Sequence, residues 1–328
     1  MEPAQWRKIC QHHPMANFLQ SPTWAKVNQL IGHQVIIETF NHHSSALMII
    51  KNAKRGRYLE IPGGPLLDWQ DSSQVKAAFQ KIRAIAKQYH CVFIRFRPQL
   101  LKNEQNLALL SSTNSRPAPF HLHAQHTLML DLTKSENQLL SELRRQTRYE
   151  VRRAAKLGLI VEHGNSPELF QKFHQIQSAT AARQKFIPPS LEELLAYREA
   201  FAERAQIYLA KTPNQELIAM GLILIDGQEA EYFEAASTKL NRQFPGAYAL
   251  QWQVIQDLKK QGIPRYNLWG VAPAGQTNHR YSKVTTFKTG FGGEVIEFIP
   301  AQDIILNPLK YQLVFFIETL RKKRRRLS

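Results

Sequence analysis

The chain has 328 residues, of which 43% are hydrophobic and 21% are charged. This length favours two domains, and this composition excludes a disordered or fibrous protein. The two cysteines, Cys10 and Cys91, are too few for a disulfide scaffold or a multi-cysteine zinc site. The longest apolar run, residues 217–225, is too short to cross a bilayer. Because the first residues also lack the apolar core of a secretory signal, we expect a cytoplasmic protein.

The charge of the chain points to its partners. Lys and Arg together number 43 and Asp and Glu number 26, which gives a formal net charge of +17. A net charge this far from zero attracts anionic partners. Nucleic acid, an anionic membrane surface and a phosphorylated substrate all satisfy this requirement, and composition does not choose among them.

The first of two predicted folding units runs from the N-terminus to about residue 126. Ser21 followed by Pro22 is a helix start signal. Residues 62–65 (PGGP) are predicted to form a loop, because proline and glycine interrupt regular secondary structure. The patterns predict helices over 23–31 and 72–88, strands over 35–39, 46–51 and 92–96, and a loop over 111–119.

The second unit begins at about residue 135, where Ser135 and Gln138 form a capping box. This box opens a helix that we expect to continue to residue 156 and to stop at Gly158. Further helices are predicted from 167, from 190 to 201 and from 247 to 261, and strands over 159–162, 207–210, 216–225, 229–236 and 266–269. Asp226-Gly227 is a hairpin signal between two of these strands. The order indicates an α+β fold with a mostly antiparallel sheet, as in GNAT acyltransferases.

The first helix of the second unit carries a broad basic face. Three arginines recur every four residues and two more flank them: Arg144, Arg148, Arg152, Arg145 and Arg153. Like charges at this spacing repel each other, so we interpret the face as an anion-binding surface, with RNA phosphate the favoured anion. A solvated helix face is the alternative interpretation.

The C-terminal residues combine an apolar helical pattern with a basic run. Leu313, Phe316, Ile317 and Leu320 recur at helical spacing, and residues 321–326 are all Lys or Arg. Such a combination is typical of contact with anionic lipid. RNA contact and a solvated tail are the alternatives.

Lys288 lies in the sequence VTTFKTGFGGE, where glycines and phenylalanines predict a close-packed loop or strand edge. A cation fixed there would stabilise negative charge developing on a reacting carbonyl or phosphate. A surface lysine is the alternative.

Two other motifs fit known sites less well. Residues 243–248 (QFPGAY) precede a helix and approximate the pyrophosphate-binding motif of acyl-CoA enzymes, but we expect Tyr248 to obstruct a phosphate there. His121, His123 and His126 match no standard zinc spacing, so we predict no metal site.

Four stretches of the chain resemble the FemABX peptidyltransferase family. They are residues 18–24 (FLQSPTW), 58–68 (YLEIPGGPLLD), 147–158 (TRYEVRRAAKLG) and 269–293, which ends in FKTGFGG. The last stretch is the most specific, and Asn307-Pro308 also fits. The resemblance implies an α+β chain of two tandem GNAT-like domains without a coiled-coil arm. Domain 1 would comprise residues 1–134 completed by 300–328, and domain 2 residues 135–299.

The resemblance also implies an activity. Family members transfer an aminoacyl group from aminoacyl-tRNA to a stem-peptide amine of a peptidoglycan precursor, either lipid II or UDP-MurNAc-pentapeptide. The aminoacyl ester is already activated, so no metal or other cofactor is expected. The basic tail would suit peripheral contact with anionic membrane at the inner face of the plasma membrane.

Site residues follow from the same resemblance. Lys288 corresponds to a lysine that stabilises the oxyanion, and Tyr232 to a tyrosine in the acceptor site. The basic helix would contact tRNA. The remaining expected substrate contacts are Lys26, Tyr58 and Phe287. Arg183 is the favoured phosphate-binding arginine, and Arg198 is the runner-up.

Two positions depart from the family pattern. Arg97 stands where some members carry an aspartate considered as a base, so the acceptor amine would lose its proton to substrate or water. Arg97 would instead bind a carboxylate or a phosphate. Glu234 stands where a second tyrosine is common, which would alter the choice of acceptor.

Two rival functions remain at this level. The first is an acyl-CoA-dependent N-acyltransferase, supported by residues 243–248. The second is a non-catalytic module that binds tRNA or membrane, which would explain the basic helix and tail but not the FKTGFGG stretch.

Overall fold

The structure is a computed structural model that describes residues 3–54, 56–184, 186–276 and 278–324. The elements up to residue 117 are α1 (Pro3–His12), α2 (Pro22–Leu30), β1 (Gln34–Asn41), β2 (Ser44–Ala53), β3 (Gly56–Ile61), α3 (Ser72–Gln88), β4 (Phe93–Phe96), α4 (Glu104–Leu109) and β5 (Arg116–Pro117).

The elements that follow are β6 (His126–Asp131), α5 (Glu136–Glu142), α6 (Arg145–Lys156), β7 (Ile160–Gly164), α7 (Pro167–Gln184), α8 (Leu191–Phe201), β8 (Ala205–Lys211), β9 (Leu217–Asp226), β10 (Glu229–Ser237), α9 (Gly246–Lys260), β11 (Arg265–Gly270), α10 (Ser282–Lys288), β12 (Glu294–Glu297), β13 (Gln302–Ile305) and α11 (Pro308–Arg324). The strands form two sheets, in the orders β1-β2-β3-β4-β13-β5 and β12-β6-β11-β10-β9-β8-β7.

The chain divides into two compact units. The first comprises residues 1–126, 272–280 and 296–328, and the second residues 127–271 and 281–295. The first border therefore lies at 126/127 rather than at 134, because β6 pairs antiparallel with β11 in the second sheet. The later border lies at 295/296 rather than at 300, and the expected second domain also loses residues 272–280 to the first unit.

Helix α3 covers the sheet of the first unit. Its buried residues Val75, Ala78, Phe79, Ile82 and Ala86 recur at helical spacing and line one side of the helix. The helix begins after Asp71, whose carboxylate accepts from the amides of Ser73 and Gln74. The predicted helix over 72–88 is confirmed.

A buried ion-pair network fastens the C-terminal segment to the first unit. Strand β13 pairs antiparallel with β4. Arg95 donates to both carboxylate oxygens of Asp303, at 2.8 and 2.7 Å, and to Glu318 on α11 at 2.8 Å. The hydroxyl of Tyr311 donates to Asp303 at 2.7 Å. Residues more than 200 positions apart in sequence are thereby held in one sheet.

The second unit contains a three-stranded meander at the strands predicted over 207–210, 216–225 and 229–236. Strands β8, β9 and β10 pair antiparallel in sequence order, and Gly227 adopts a positive φ of 58° at the tight turn between β9 and β10. Strand β11 then pairs parallel with β10. Helix α9 packs on this sheet through Leu250, Val254 and Leu258. The predicted α+β organisation of this unit is confirmed.

The predicted single helix over 135–156 is wrong, because the chain forms α5 and α6 with a break between them. Leu143 and Arg144 have extended ψ angles of 134° and 143°. The Arg144 amide donates to the carbonyl of Gly290 at 2.9 Å instead of to a helical acceptor. Local sequence favours a continuous helix, so this tertiary hydrogen bond accounts for the interruption.

The segment around Lys288 also differs from the prediction. Residues 282–288 form helix α10 and a 3₁₀ turn follows over Thr289–Phe291, where a loop or strand edge was expected. Within the described residues, no helix is both long enough and apolar enough to cross a membrane.

Candidate active site

An irregularity in the second sheet creates the candidate site. Strand β10 bulges between Tyr232, which faces Ile223, and Glu234, which faces Leu222, so that Phe233 is the extra residue. The parallel pairing of β10 with β11 ends at Glu231. Bulges re-aim side chains and are frequent beside active sites. Tyr232 and Glu234 therefore lie just beyond the paired part of the two strands.

Lys288 reaches this position from the end of α10. Its side chain is buried, with 7% of the residue exposed. Its Nζ donates to the carbonyl oxygen of Gly270, at the end of β11, at 2.8 Å. The same Nζ lies 5.9 Å from the centre of the Tyr232 ring, within the range of a cation–π contact. The structure thus brings together the predicted residues Lys288 and Tyr232.

Gly221 on β9 makes room for the Tyr232 ring. A Cβ atom on Gly221 would lie 2.8 Å from Cε2 of Tyr232, too close for a carbon–carbon contact. The ring is consequently held over the sheet rather than turned away from it. Burial also raises the pKa of Tyr232 to about 12, so its hydroxyl stays protonated at neutral pH.

A hydrogen bond from helix α7 holds Glu234. The Nε2 of Gln177, a fully buried residue, donates to Oε2 of Glu234 at 2.6 Å. Burial raises the pKa of the Glu234 carboxyl to about 7, against the lowering effects of this hydrogen bond and of the positive charge of Lys288. The carboxyl can therefore exchange a proton near neutral pH.

The pKa of Lys288 is lowered, whereas that of Glu234 is raised. Burial lowers it to about 7, and the negative charge of Glu234 partly opposes that shift. A buried lysine and a buried glutamate that interact and both titrate near neutrality form one coupled system. Such pairs are concentrated at functional sites, because burial and specific charge partners adjust protonation there.

Aromatic side chains surround the bulge. The ring of Phe233 contacts Tyr197 on α8, with ring centres 5.2 Å apart, and Trp269 on β11, at 5.8 Å. Trp269 adopts a positive φ of 62°, a backbone conformation that a bulky residue rarely takes and that often marks functional sites. These rings form an apolar surround in which the charges of Lys288 and Glu234 are weakly screened.

The FKTGFGG stretch has a clear packing role around the lysine. Phe287 packs edge-on against Tyr248 at 5.0 Å and against Phe291 at 5.3 Å, so it is partly buried in the core of the unit. A Cβ on Gly290 would lie 2.2 Å from Oγ1 of Thr147. Only glycine lets the chain approach the start of α6 this closely, which fixes α10 and Lys288 with it.

Helix α6 presents most of its arginines on the side away from the core. Thr147, Val151 and Ala154 are buried, and α6 packs against α9. Arg144, Arg145 and Arg152 are exposed and Arg148 is partly exposed.

Two of these arginines, Arg148 and Arg153, also form hydrogen bonds with other residues of the second unit. Arg148 donates to the carbonyl of Ser141 at 3.1 Å, and with Arg152 it lines a shallow depression beside α5. Arg153 is engaged by Glu150 at 3.1 Å and by the Gln243 carbonyl at 2.9 Å. The basic face therefore consists of Arg145, Arg148, Arg152 and Lys156, with Arg144 before the helix and Arg153 turned toward the protein.

The two predicted phosphate-binding arginines occupy different places. Arg183, exposed near the end of α7, donates to Thr180 Oγ1 at 3.2 Å and to the carbonyl of Ser237, which ends β10. Arg198 on α8 donates to the carbonyl of Asn165 at 2.6 Å. Arg183 lies on α7, the helix whose Gln177 binds Glu234, whereas Arg198 lies on α8.

The other predicted residues lie in the first unit. Lys26 is exposed on α2. Tyr58 stacks on Phe93 with ring centres 4.8 Å apart and donates to Glu60 at 3.3 Å, so it packs within its own unit.

Arg97 is buried in the first unit. Its side chain is almost completely buried, donates to the Leu122 carbonyl at 3.0 Å, and stacks over the Phe298 ring at 5.1 Å. Burial lowers its pKa to about 10. The guanidinium of Arg97 is therefore engaged by residues of its own unit.

The segment that approximates an acyl-CoA motif uses its own amide groups internally. At the start of α9, the amide of Gly246 donates to the Phe244 carbonyl and that of Ala247 to the Asn241 side chain. The amides of residues 248 and 249 both donate to the Pro245 carbonyl. The Tyr248 ring packs on Phe287 and Phe291. A pyrophosphate would have to displace these bonds.

The three histidines are partly buried. His126 contacts Glu297 at 3.1 Å, while burial lowers the pKa of His121 to about 4 and that of His123 to about 3. Across the described ranges, no group of three or more His, Cys, Asp or Glu side chains is placed to hold a metal ion.

The fold defines the chain as a pair of tandem GNAT-like domains. It matches a tandem GNAT protein of the clavulanic acid biosynthesis pathway with a TM-score of 0.53 at 8% identity, over 80% of this chain and 78% of that one. It matches the FemX crystal structure with a TM-score of 0.83 at 18% identity, over 95% of this chain and 98% of that one.

The sequence assigns the family. The FemAB family model matches residues 2–118, 115–218 and 191–319, so the chain belongs to the FemAB family. Over 110 residues it is 29% identical to the aminoacyltransferase FemA of Staphylococcus aureus (strain MW2). That alignment covers 34% of this chain and 26% of FemA, about a quarter of the relative's length.

Sequence reasoning missed two participants in the site. Gln177 carries no local signal, since a glutamine inside a helix is usually solvent-exposed, yet here it is buried and bonded to Glu234. The Gly270 carbonyl is a backbone atom, and its role depends on where β11 ends. Trp269-Gly270 begins the fourth stretch that resembles the family, but its sequence does not indicate that the Gly270 carbonyl binds Lys288.

Proposed function

We propose that the protein is an aminoacyltransferase that moves an amino acid from aminoacyl-tRNA to a stem-peptide amine of a peptidoglycan precursor. The observation that carries this proposal is the buried Lys288, held between the Gly270 carbonyl and the Tyr232 ring in a chain of the FemAB family. A buried cation at the point where β10 and β11 cease to pair is suited to stabilising a developing oxyanion.

The proposed step balances without a cofactor. The nitrogen of the acceptor amine attacks the ester carbonyl carbon of the aminoacyl-tRNA, and a tetrahedral intermediate with a negative oxygen forms. Lys288 stabilises that oxygen. The intermediate then collapses, the C–O ester bond breaks and an amide remains. The tRNA leaves through its terminal ribose oxygen, which takes up the proton that the amine gives away.

We assign the transfer of that proton to Glu234. Its carboxyl lies on the same strand as Tyr232, is oriented by Gln177, and exchanges protons near neutral pH. A carboxylate that takes the amine proton and returns it to the leaving ribose oxygen serves as base and then as acid. This assignment replaces loss of the proton to substrate or water, the expectation drawn from Arg97.

We propose that the basic face of α6 binds the tRNA. Arg145, Arg148, Arg152 and Lys156 present their charges away from the core, where they can contact successive phosphates. Arg144 and Arg153 would flank this surface. Arg183, attached to the end of β10, is the favoured phosphate contact near the reaction and Arg198 is the runner-up.

For the acceptor we propose lipid II or UDP-MurNAc-pentapeptide. Lys26, exposed on α2, is the first-unit residue best suited to contact the acceptor's pyrophosphate. Tyr232 and Phe287 would shape the acceptor side of the site. We place the protein in the cytoplasm, at the inner face of the plasma membrane.

A transfer assay read by mass spectrometry tests the proposal. The protein receives a mixed pool of aminoacyl-tRNAs, with UDP-MurNAc-pentapeptide in one tube and lipid II in another. A mass increase of one amino-acid residue on either acceptor is the expected result. Acetyl-CoA and a long-chain acyl-CoA serve as alternative donors, and transfer from these alone would favour the acyl-CoA-dependent enzyme.

Two lysine variants of α10 sharpen this assay. Lys288→Met preserves the length of the side chain but removes its charge, and we expect transfer to fall by about 10²–10³-fold. Lys283→Ala alters an exposed lysine on the same helix and should retain full transfer. Equal rates for the two variants would remove Lys288 from the mechanism, and no transfer from any donor by folded protein would favour a non-catalytic binding module.

A further inference from the structure

The last helix, α11, presents an unbroken apolar row to solvent. Its members are Leu309, Leu313, Phe316 and Leu320, which are 83%, 56%, 62% and 50% exposed. Their spacing of four, three and four residues places them along one side of the helix. At 1.5 Å per residue the row extends over about 17 Å. We call it the α11 stripe.

The α11 stripe is not needed to attach the helix to its own unit. Tyr311 and Val314, on another side of α11, are buried in a cluster with Val92 and Phe93. The Tyr311 hydroxyl also donates to Asp303, and Glu318 accepts from Arg95. The helix is therefore packed and hydrogen-bonded on one side and apolar on a second, exposed side.

Positive charge lies at the end of the α11 stripe. Residues 321–326 are six consecutive Lys or Arg residues. The exposed Arg321 and Arg324 fall within the described part of the helix and directly follow Leu320. A rigid helix that carries leucines and a phenylalanine on one side, with basic residues beside them, has the chemistry of a helix lying in a membrane interface.

We propose that α11 docks the protein peripherally on an anionic phospholipid bilayer. The α11 stripe would enter the boundary between headgroups and acyl chains, and Arg321 and Arg324 would contact lipid phosphates. Charge complementarity favours this occupant, because juxtamembrane basic clusters are attracted to anionic leaflets.

Two other occupants fit the helix less well. An RNA would use the basic residues but would leave the four apolar side chains in water. A second copy of the chain would cover the α11 stripe but would bring a charge of +17 against an equal charge.

The docking surface is inferred from α11 alone. The idea that this surface helps the enzyme to reach a lipid-linked acceptor rests on the proposed function. If both hold, the protein acts on acceptors embedded in the membrane. The α11 stripe would then hold the enzyme in the plane where such acceptors lie. Acceptor choice would depend in part on the membrane and not only on the catalytic site.

Vesicle flotation of the full chain tests the docking surface. Vesicles of phosphatidylcholine with phosphatidylglycerol are compared with vesicles of phosphatidylcholine alone. The double variant Leu313→Ser with Phe316→Ser should lower partition onto the anionic vesicles by about tenfold or more, because it removes two apolar side chains that would be buried there. Ile187→Ser is the matched control, since Ile187 is 81% exposed in the second unit. Thermal unfolding of each variant verifies that it is folded.

Each outcome has a definite meaning. Binding to anionic vesicles that is lost in the double variant and kept in Ile187→Ser supports the proposal. No binding by the wild type, or equal binding by the double variant, overturns it. Sedimentation velocity that shows a dimer dissociated by the double variant would instead assign the α11 stripe to a second copy.

The transfer assay separates this proposal from the proposed function. Loss of the stripe should lower transfer to lipid II in vesicles relative to transfer to UDP-MurNAc-pentapeptide in solution. Vesicle binding by a wild type that transfers nothing to either acceptor would sustain the docking surface while the proposed function fails.

Discussion

Lys288 donates from Nζ to the carbonyl oxygen of Gly270 at 2.8 Å. This bond joins the two ends of one sequence stretch, because Gly270 lies at its beginning and Lys288 near its end. It also fixes the lysine beside the Tyr232 ring, at the point where β10 and β11 no longer pair. The charge that the proposed reaction needs is therefore held in place before any substrate binds, as electrostatic preorganisation requires.

The buried charge of Lys288 should lower the stability of the protein. Because the folded-state pKa is about 7 and the unfolded value is about 10.5, the unfolded chain binds more protons between these pH values. Stability contributed by this group therefore rises as the pH increases from 7 toward 10.5. We expect Lys288→Met to be more stable than the wild type at pH 7, by on the order of 1 kcal/mol or more, while it loses activity.

Urea unfolding at pH 7 and pH 9 measures this difference. The advantage of Lys288→Met over the wild type should shrink at pH 9, since the wild-type lysine is then neutral in the folded state. Lys283→Ala should show no such change with pH. A Lys288→Met variant that is less stable than the wild type at pH 7 would mean that the lysine is mainly structural.

Transfer should depend on pH in a bell shape centred near 7. Below that value Glu234 gains a proton and no longer accepts one from the amine, because burial has raised its pKa to about 7. Above it Lys288 loses the proton that stabilises the oxyanion, because burial has lowered its pKa to about 7. Because Glu234 and Lys288 interact, the acidic and basic limbs of the pH profile report the titration of the two groups together.

Glu234→Gln should remove the acidic limb of that profile. We expect kcat/KM to fall by about 10²-fold or more, and the remaining activity to stay level as the pH decreases. Measuring kcat/KM across the pH range checks both statements. An acidic limb that persists unchanged in Glu234→Gln would assign the proton transfer to another group.

Charge reversal on α6 should weaken tRNA binding. Arg148→Glu with Arg152→Glu removes two cations from the exposed face and adds two anions, and we expect affinity to fall by about tenfold or more at physiological salt. The slope of log K against log salt should decrease by about 0.7–0.9 for each phosphate contact that is lost.

Arg204→Gln is the control for that experiment. Arg204 is a similarly exposed arginine of the second unit that pairs with Asp226 at 2.9 Å. It should leave both the affinity and the salt slope unchanged. If charge reversal on α6 and the Arg204 variant had the same small effect, tRNA would bind elsewhere.

Asp303 should be essential for the stability of the first unit. Asp303→Asn keeps the shape of the side chain but removes the charge opposite Arg95, which is buried, and leaves Glu318 as its remaining carboxylate partner. Breaking a buried ion pair on one side costs about 3–5 kcal/mol, so we expect a loss toward the lower end of that range in urea unfolding.

A surface ion pair gives the contrast. Glu162→Gln breaks the exposed pair between Glu162 and Lys211 and should cost about 1 kcal/mol or less. An Asp303→Asn variant no less stable than Glu162→Gln would show that the buried ion pair adds little to the strand pairing of β13 and the packing of α11.

Local patterns in the sequence were sufficient wherever neighbouring residues decide the structure. The helix over 72–88, the capping box at Ser135 and the meander around Asp226-Gly227 follow from capping, periodicity and turn chemistry. The basic face of α6 and the row of apolar residues on α11 are likewise visible as spacing. The FKTGFGG stretch identified the family and pointed to Lys288.

Tertiary structure decided what depends on partners distant in the chain. The break between α5 and α6 requires the Gly290 carbonyl, and β13 requires β4, so neither has a local signal. The burial of Arg97 has no local signal, and burial raises the pKa of Glu234 to about 7 although Gln177 and Lys288 lower it. Spacing along a chain fixes which face a residue occupies. Burial, and with it the protonation that chemistry needs, is set only when separate segments pack together.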